Sequence, residues 1–208
     1  NLLGMLAHLH GGLLNAADLA SGLSISAQTV VRYLDVLEGL FIVRRLQPYF
    51  ANIAKRLTKS PKVYVRDTGV LHALLGLGNL DALRRHPKLG ASWEGFVVEQ
   101  LVGALALLGE RPRAFFWRTH GGAEVDLLLE LKARLLPIEV KLSGVPVAGR
   151  GLVECMKDLS LRAGCGVRGG AAACPRGRPL FALPASLLSQ PARLREALLT
   201  PERHVRGT

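Results

Sequence analysis

Three charged side chains interrupt two apolar, strand-like segments in the second half of the chain. Asp126 lies in the first segment, and Glu139 and Lys141 share one face of the second. If a short hairpin closes around residues 132–134, the register pairs Asp126 with either Glu139 or Lys141, and both registers bring all three to one side. Charges in a core sheet conflict with the local apolar pattern. The sequence therefore predicts a functional cluster here.

A fourth charged residue, Glu94, lies on the apolar face of a predicted helix that begins at Ala91. The same face carries Val97 and Leu101, so the carboxylate is expected to point inward. A lone buried carboxylate is costly and normally has a cation, a hydrogen-bond donor or a metal beside it. The alternative is a glutamate near solvent in the first helical turn, stabilised by the helix dipole.

The elements that must position these residues are one long helix and an antiparallel meander of three strands. A polar, basic stretch over residues 76–90 precedes the helix, and we take it as the boundary between two domains, 1–78 and 79–208. The three strands are predicted at Ala114 to Arg118, Ala123 to Leu131 and Leu135 to Leu142.

The first domain has the pattern of a helix-turn-helix. Asn15 is predicted to cap a short helix that ends at Ser21, and Ser26 to cap a longer helix after the turn at 22–24. Two strands should follow, at Phe41 to Leu46 and Lys62 to Val65. A helix-turn-helix followed by such a hairpin is a winged helix, so we expect that fold over residues 1–78.

Two groups of residues in this domain are candidates for contact with DNA. The second helix would present three side chains to a groove, and the loop between the strands would place four cations on phosphates. The residues are Gln28, Thr29 and Arg32 on the helix, and Lys55, Arg56, Lys59 and Lys62 in the loop. Winged helices also serve as protein interfaces, so that alternative stays open.

The composition favours a polyanionic partner. There are 27 Lys and Arg residues against 16 Asp and Glu, which gives a formal net charge of +11, and nucleic acid is the usual partner of such a chain. We expect DNA.

No apolar run reaches the roughly 18 residues of a membrane span and no signal peptide opens the chain, so we expect no membrane association and a cytoplasmic location. The three cysteines have no CxxC spacing and are expected to be reduced thiols.

The ordered set of motifs resembles a known fold. Glu94, then Glu-Val-Asp at 124–126 and Ile-Glu-Val-Lys at 138–141 resemble the PD-(D/E)XK nuclease-like fold. With the helix-turn-helix, Trp93-Glu94-Gly95-Phe96 and Phe116-Trp117-Arg118, nearly the whole chain is similar to the carboxy-terminal half of a family of prokaryotic AAA-type P-loop ATPases. In that family a domain of unknown function follows the ATPase domain.

The resemblance implies an α/β (α+β) chain, with a winged helix followed by a restriction-endonuclease-like mixed sheet flanked by helices. It also implies an ATPase domain upstream of Asn1, since this chain has no GxxxxGK[ST] motif. ATP would then be bound only by that domain of the same protein. The sequence permits an oligomer.

The resemblance also assigns roles to the charged cluster. Asp126 and Glu139 would bind Mg²⁺ with Glu94 assisting, and Lys141 would orient the attacking water and offset phosphate charge. These four would be the catalytic residues of a Mg²⁺-dependent nuclease. The alternative is a scaffold in which Lys141 forms a buried ion pair with one of the carboxylates. The chain would then be a non-catalytic DNA-binding or protein-interaction module that regulates or assembles the ATPase.

Overall fold

The protein is represented by a computed structural model, which describes residues 1–49, 60–142, 149–169 and 180–200. These residues form a mixed α/β structure with eight α-helices and eight strands. The chain divides into two compact units, residues 1–47 with 60–96, and residues 48–59 with 97–208. Within the described ranges, no helix combines the length and the apolar character needed to cross a membrane.

The first unit consists of short helices around a small antiparallel sheet. Its helices are α1 (Leu2–Leu9), α2 (Ala16–Leu23), α3 (Ala27–Gly39), α4 (Thr68–Leu74), α5 (Leu80–Arg85) and the first part of α6 (Leu89–Leu107). Its strands are β1 (Gly12–Leu13), β2 (Val43–Pro48) and β3 (Lys62–Val65), in the order β1-β3-β2. Its core includes Leu6, Leu19, Val30, Leu34, Val43 and Val63.

The predicted pair of helices and both of their caps are confirmed, although the first helix extends to Leu23, two residues beyond its predicted end at Ser21. The side chain of Asn15 accepts the N–H of Ala17 at 3.1 Å, which satisfies a free donor at the start of α2. Ser24 ends this helix in the left-handed conformation, with φ 56°. The Ser26 hydroxyl then accepts the N–H of Thr29 at 3.1 Å and starts α3.

The two strands that follow pair antiparallel, with Val43 opposite Val65. The alternation of residues predicted that the first of them begins at Phe41. In the structure it begins at Val43. Phe41 has φ 59° and donates its N–H to the carbonyl of Glu38, so it belongs to the end of α3. Because this left-handed residue turns the chain out of the helix, strand geometry starts two residues later.

The second unit is built on a mixed sheet in the order β4-β5-β6-β7-β8. The first three strands are antiparallel, which confirms the predicted meander, and β6, β7 and β8 are parallel. The elements are β4 (Arg113–Arg118), β5 (Glu124–Leu131), β6 (Arg134–Lys141), α7 (Arg150–Asp158), β7 (Gly164–Arg168), β8 (Leu180–Pro184), a 3-10 helix (Ala185–Ser189) and α8 (Pro191–Leu199). The second part of α6 buries the predicted stripe of Val97, Leu101 and Leu105.

A two-residue turn fixes how β5 pairs with β6. Lys132 and Ala133 both have positive φ, 51° and 60°, and Leu131 lies opposite Arg134. Two left-handed residues are what a tight hairpin needs to follow the twist of its strands. Because a slip of one residue would exchange the faces of the sheet, this turn decides which side chains of the two strands meet.

Candidate functional site

The structure brings Asp126, Glu139 and Lys141 together on neighbouring strands. Leu127 lies opposite Ile138, and the same register continued by one residue places Asp126 opposite Glu139, the first of the two predicted pairings. The Asp126 carboxylate accepts the N–H of Val140 at 2.8 Å. The Lys141 ammonium is 3.3 Å from Oε1 of Glu139. The three residues therefore form one acid-lysine group.

The Glu139 carboxylate is held from its other side by the start of α7. The N–H of Gly149, the residue that caps this helix, donates to Oε2 of Glu139 at 3.0 Å. A Cβ added at residue 149 would come within 2.7 Å of the same oxygen, so glycine leaves the room that the carboxylate occupies. Gly149 was not among the residues predicted for the site. Its signal is a glycine directly before the amphipathic helix that follows β6.

The ion pair in this group is not the buried pair that the scaffold alternative requires. The Lys141 side chain is 60% exposed, whereas that of Glu139 is 16% exposed. Solvent screens a pair of this kind, so its contribution to stability is on the order of 0–1 kcal/mol. A buried Lys141 ion pair as the reason for the motif is therefore wrong.

Glu94 lies beside a cation and a hydrogen-bond donor, two of the partners predicted for an inward carboxylate at this position. Its Oε1 accepts a hydrogen bond from the Tyr64 hydroxyl and lies 3.0 Å from the Lys62 ammonium, and all three residues belong to the first unit. The inward glutamate thus has the cation and the donor that its burial requires. Both contacts are to Oε1 of Glu94, and they give this carboxylate a structural role in the first unit.

The same pair corrects the assignment of Lys62 to the exposed basic loop. Lys62 is the first residue of β3, and its side chain is 4% exposed. A lysine this deeply buried needs a carboxylate beside it, and Glu94 supplies one. Lys62 is therefore a core ion-pair residue and not a phosphate contact.

His10 is a second buried polar residue of the first unit. Its Nδ1 accepts the N–H of Val65 at 3.0 Å and its Nε2 lies 3.0 Å from the carbonyl of Ala91, so Nε2 carries the proton. Burial, with a smaller effect from the charge of Lys88, lowers the pKa of His10 to about 4, although the bond to Ala91 opposes the shift. His10 is therefore neutral in the folded protein near pH 7.

This predicts an acid-sensitive contribution of His10 to stability. An unfolded chain takes up the proton near pH 6.5 and the folded chain only near pH 4, so the contribution is complete above pH 6.5 and is lost as the pH falls toward 4. The loss should reach about 3 kcal/mol, at 1.36 kcal/mol for each pH unit between the two values. Urea unfolding from pH 7 to pH 4 should show the stability difference between the parent protein and His10→Gln shrink by that amount. His8→Gln, at an exposed position, should follow the parent to within about 0.5 kcal/mol.

The residues predicted to contact DNA divide into three sets. Gln28 and Arg32 are exposed on α3, as a groove-facing helix requires. Thr29 is half-buried, and its hydroxyl is 2.9 Å from that of Ser26, so it serves the helix cap. Lys55, Arg56 and Lys59 lie outside the described residues.

One surface feature of the first unit was not predicted. Tyr33 and Val36 on α3 are 50% and 59% exposed. Together with Leu2, Leu3, Leu37 and Leu74 they line a shallow apolar groove of about 410 Å³. Helical periodicity does not predict this groove, because an amphipathic helix is expected to turn its apolar residues inward.

The acid-lysine group contains two carboxylates that could hold a magnesium ion. In the part of the chain that the structure describes, no three His, Cys, Asp or Glu side chains are placed to hold a metal ion. Magnesium is usually held by one or two carboxylates and keeps several waters, so a third acid is not needed. Asp126 and Glu139, with hard oxygen donors on neighbouring strands, fit such a two-carboxylate site.

Comparison with known proteins gives two family matches and two relatives. Residues 1–81 match a domain of unknown function (DUF8612), and residues 89–188 match another (DUF4143). Uncharacterized proteins of Mycobacterium bovis and Mycobacterium tuberculosis are each 50% identical over 157 residues, which are 76% of this chain and 35% of the relative. The chain thus spans about a third of the length of these curated relatives. No solved structure matches. The second matched domain occurs as a C-terminal region in AAA-ATPase proteins.

Proposed function

We propose that this chain is the carboxy-terminal, nucleic-acid-associated region of an AAA-type ATPase and that its second unit carries a nuclease-like phosphodiesterase site. The observation that carries the proposal is the acid-lysine group, where Asp126 and Glu139 meet on paired strands with the Lys141 ammonium 3.3 Å from Glu139. Two carboxylates can hold a metal ion that activates a water, and a lysine beside them can offset charge on a phosphate. The match to a domain found in AAA-ATPase proteins supports the link to an ATPase.

In this proposal Asp126 and Glu139 hold Mg²⁺, which would supply an activated water and neutralise charge on the phosphate. The chain's own residues prepare the site. The N–H groups of Val140 and Gly149 each hold one carboxylate in place, at 2.8 and 3.0 Å. The largely exposed Lys141 ammonium can turn from Glu139 toward a phosphate oxygen and offset its charge.

In this proposal residues 1–78 would bind the nucleic acid as a winged helix. Gln28 and Arg32 are exposed on the second helix of the helix-turn-helix, where they can enter a major groove. The basic loop, with Lys55, Arg56 and Lys59, would follow the phosphate backbone. The nucleic acid we propose is duplex DNA.

This part of the proposal predicts binding that weakens with salt. The change is the replacement of Lys55, Arg56 and Lys59 together by alanine. Each lost phosphate contact should reduce the slope of log K against log salt by about 0.9. The slope of the triple variant should therefore be smaller than that of the parent protein by up to about 2.7. Fluorescence anisotropy of a labelled duplex between 50 and 200 mM salt measures both affinity and slope.

The matched control removes three exposed cations elsewhere, Arg85, Arg111 and Arg162. It carries the same net charge as the loop variant and should keep most of the affinity of the parent protein. Equal losses in the two variants would reduce the binding to general charge attraction and contradict a basic-loop contact. Absence of binding at 50 mM salt would overturn the nucleic-acid proposal altogether.

A second candidate function is a protein-interaction module that assembles or regulates the ATPase. The apolar groove beside Tyr33 and Val36 favours it, since exposed apolar grooves mark protein contacts. The anisotropy experiment separates the two candidates, because a protein interface gives no salt-dependent binding of DNA. The ATPase link itself predicts a GxxxxGK[ST] motif upstream of Asn1, which the sequence of the whole protein checks.

A further inference from the structure

One buried nitrogen of the second unit, the Nε of Arg168, has no hydrogen-bond partner among the described residues. Arg168 ends β7, and its Nε is shielded from solvent without any hydrogen-bond acceptor in the described structure. A polar N–H shielded from water in this way is rare in folded proteins, because the lost hydrogen bonds to water are not replaced. The buried Nε–H of Arg168 therefore indicates a binding site for a hydrogen-bond acceptor.

The position of Arg168 in the sheet places it beside the acid-lysine group. Strands β6 and β7 are parallel, and Lys141 is the register partner of Arg168. Neighbouring strands lie about 4.8 Å apart, and register partners present their side chains to the same face. Lys141 and Arg168 are thus two adjacent cations at the carboxyl ends of two parallel strands.

The carboxylate closest along this face does not satisfy both cations. Glu139 is the register partner of Gly166, and both lie two positions before Lys141 and Arg168 on their strands. Its two oxygens already face the Lys141 ammonium and the N–H of Gly149, at 3.3 and 3.0 Å. The Nε of Arg168 therefore remains an unused donor beside the Lys141 ammonium.

We propose that Arg168 and Lys141 together form a phosphate-binding site beside the acidic pair, with Arg168 as its principal contact. A guanidinium offers donors in a planar fork that matches two phosphate oxygens, and Nε is one of them. The ligand class is a phosphate group of a nucleic-acid backbone; this identification rests on the proposed function, whereas the anion site itself rests on the geometry above.

The test compares Arg168→Met with Arg162→Met, a matched variant at an exposed arginine of the same unit. Titrations use inorganic phosphate by calorimetry and a labelled DNA duplex by anisotropy, with circular dichroism as the check on folding. Arg168→Met should weaken both ligands roughly ten-fold and reduce the salt slope for DNA by about 0.9, while Arg162→Met should match the parent protein.

A nuclear magnetic resonance measurement keeps the inference testable if Arg168→Met does not fold. In the parent protein, the Nε–H resonance of Arg168 should shift on addition of phosphate and that of Arg162 should not. DNA binding that Arg168→Met leaves unchanged, with no shift of the Arg168 resonance, overturns this inference and leaves the proposed function standing. Phosphate binding that depends on Arg168 in a protein without affinity for DNA supports the anion site and counts against the proposed function.

Discussion

Replacing Glu94 with alanine should lower the free energy of unfolding by about 3–5 kcal/mol, the cost of removing one partner from a buried ion pair. The Lys62 side chain is 4% exposed, so without Glu94 its ammonium would stay in the core beside the Tyr64 hydroxyl and lose the carboxylate that lies 3.0 Å away. Burial disfavours that charge strongly. The change should therefore act through Lys62 more than through the glutamate itself.

Urea unfolding of single and double variants measures this effect. Glu94→Ala alone should lower the free energy of unfolding more than Glu94→Leu combined with Lys62→Met. The double variant removes the buried Lys62 ammonium together with the carboxylate that pairs with it. The control is Arg113→Ala, which breaks the Arg113–Glu130 pair at 3.0 Å, where the arginine side chain is 68% exposed. It should cost no more than about 1 kcal/mol. A similar small cost for Glu94→Ala would contradict a core ion pair at Lys62.

The second large effect is on catalysis. Asp126→Asn and Glu139→Gln should each reduce Mg²⁺-dependent cleavage of DNA at least about 100-fold, since even partners outside the metal's ligand shell cost 10- to 100-fold. Both replacements keep the size of the side chain and an oxygen acceptor. The N–H of Val140, which donates to Asp126 at 2.8 Å, therefore keeps its partner in Asp126→Asn. Loss of activity can then be assigned to the lost charge and not to unfolding.

Plasmid relaxation with and without Mg²⁺, beside thermal melts, tests this prediction. Glu130→Gln is the control, because Glu130 lies on the same strand and its carboxylate pairs with the exposed Arg113. It should cleave as the parent protein does. Mg²⁺ should raise the melting temperature of the parent protein and not that of Asp126→Asn. Absence of Mg²⁺-dependent cleavage by the parent protein would refute the nuclease proposal, and the nucleic-acid binding described above would remain to be tested separately.

Local structure that short-range chemistry controls was predictable from the sequence. The caps at Asn15 and Ser26, the two helices after them and the meander that carries Asp126 and Glu139 all follow from neighbouring residues, because capping and hydrophobic periodicity act within a few positions. The sequence also limited the pairing of Asp126 to two registers. Alternation along a strand identifies a face, but it does not select between two registers that present the same face.

Which charged residues meet depends on long-range packing and was not predictable from the sequence. The left-handed pair Lys132 and Ala133 set the register that places Asp126 opposite Glu139, although neither residue is a typical hairpin signal. Glu94 was recognised as an inward carboxylate, yet its partner Lys62 lies 32 positions away and was assigned to an exposed loop. A pattern of apolar residues shows that a charge must be compensated. The fold alone decides which distant residue compensates it, because that depends on long-range packing.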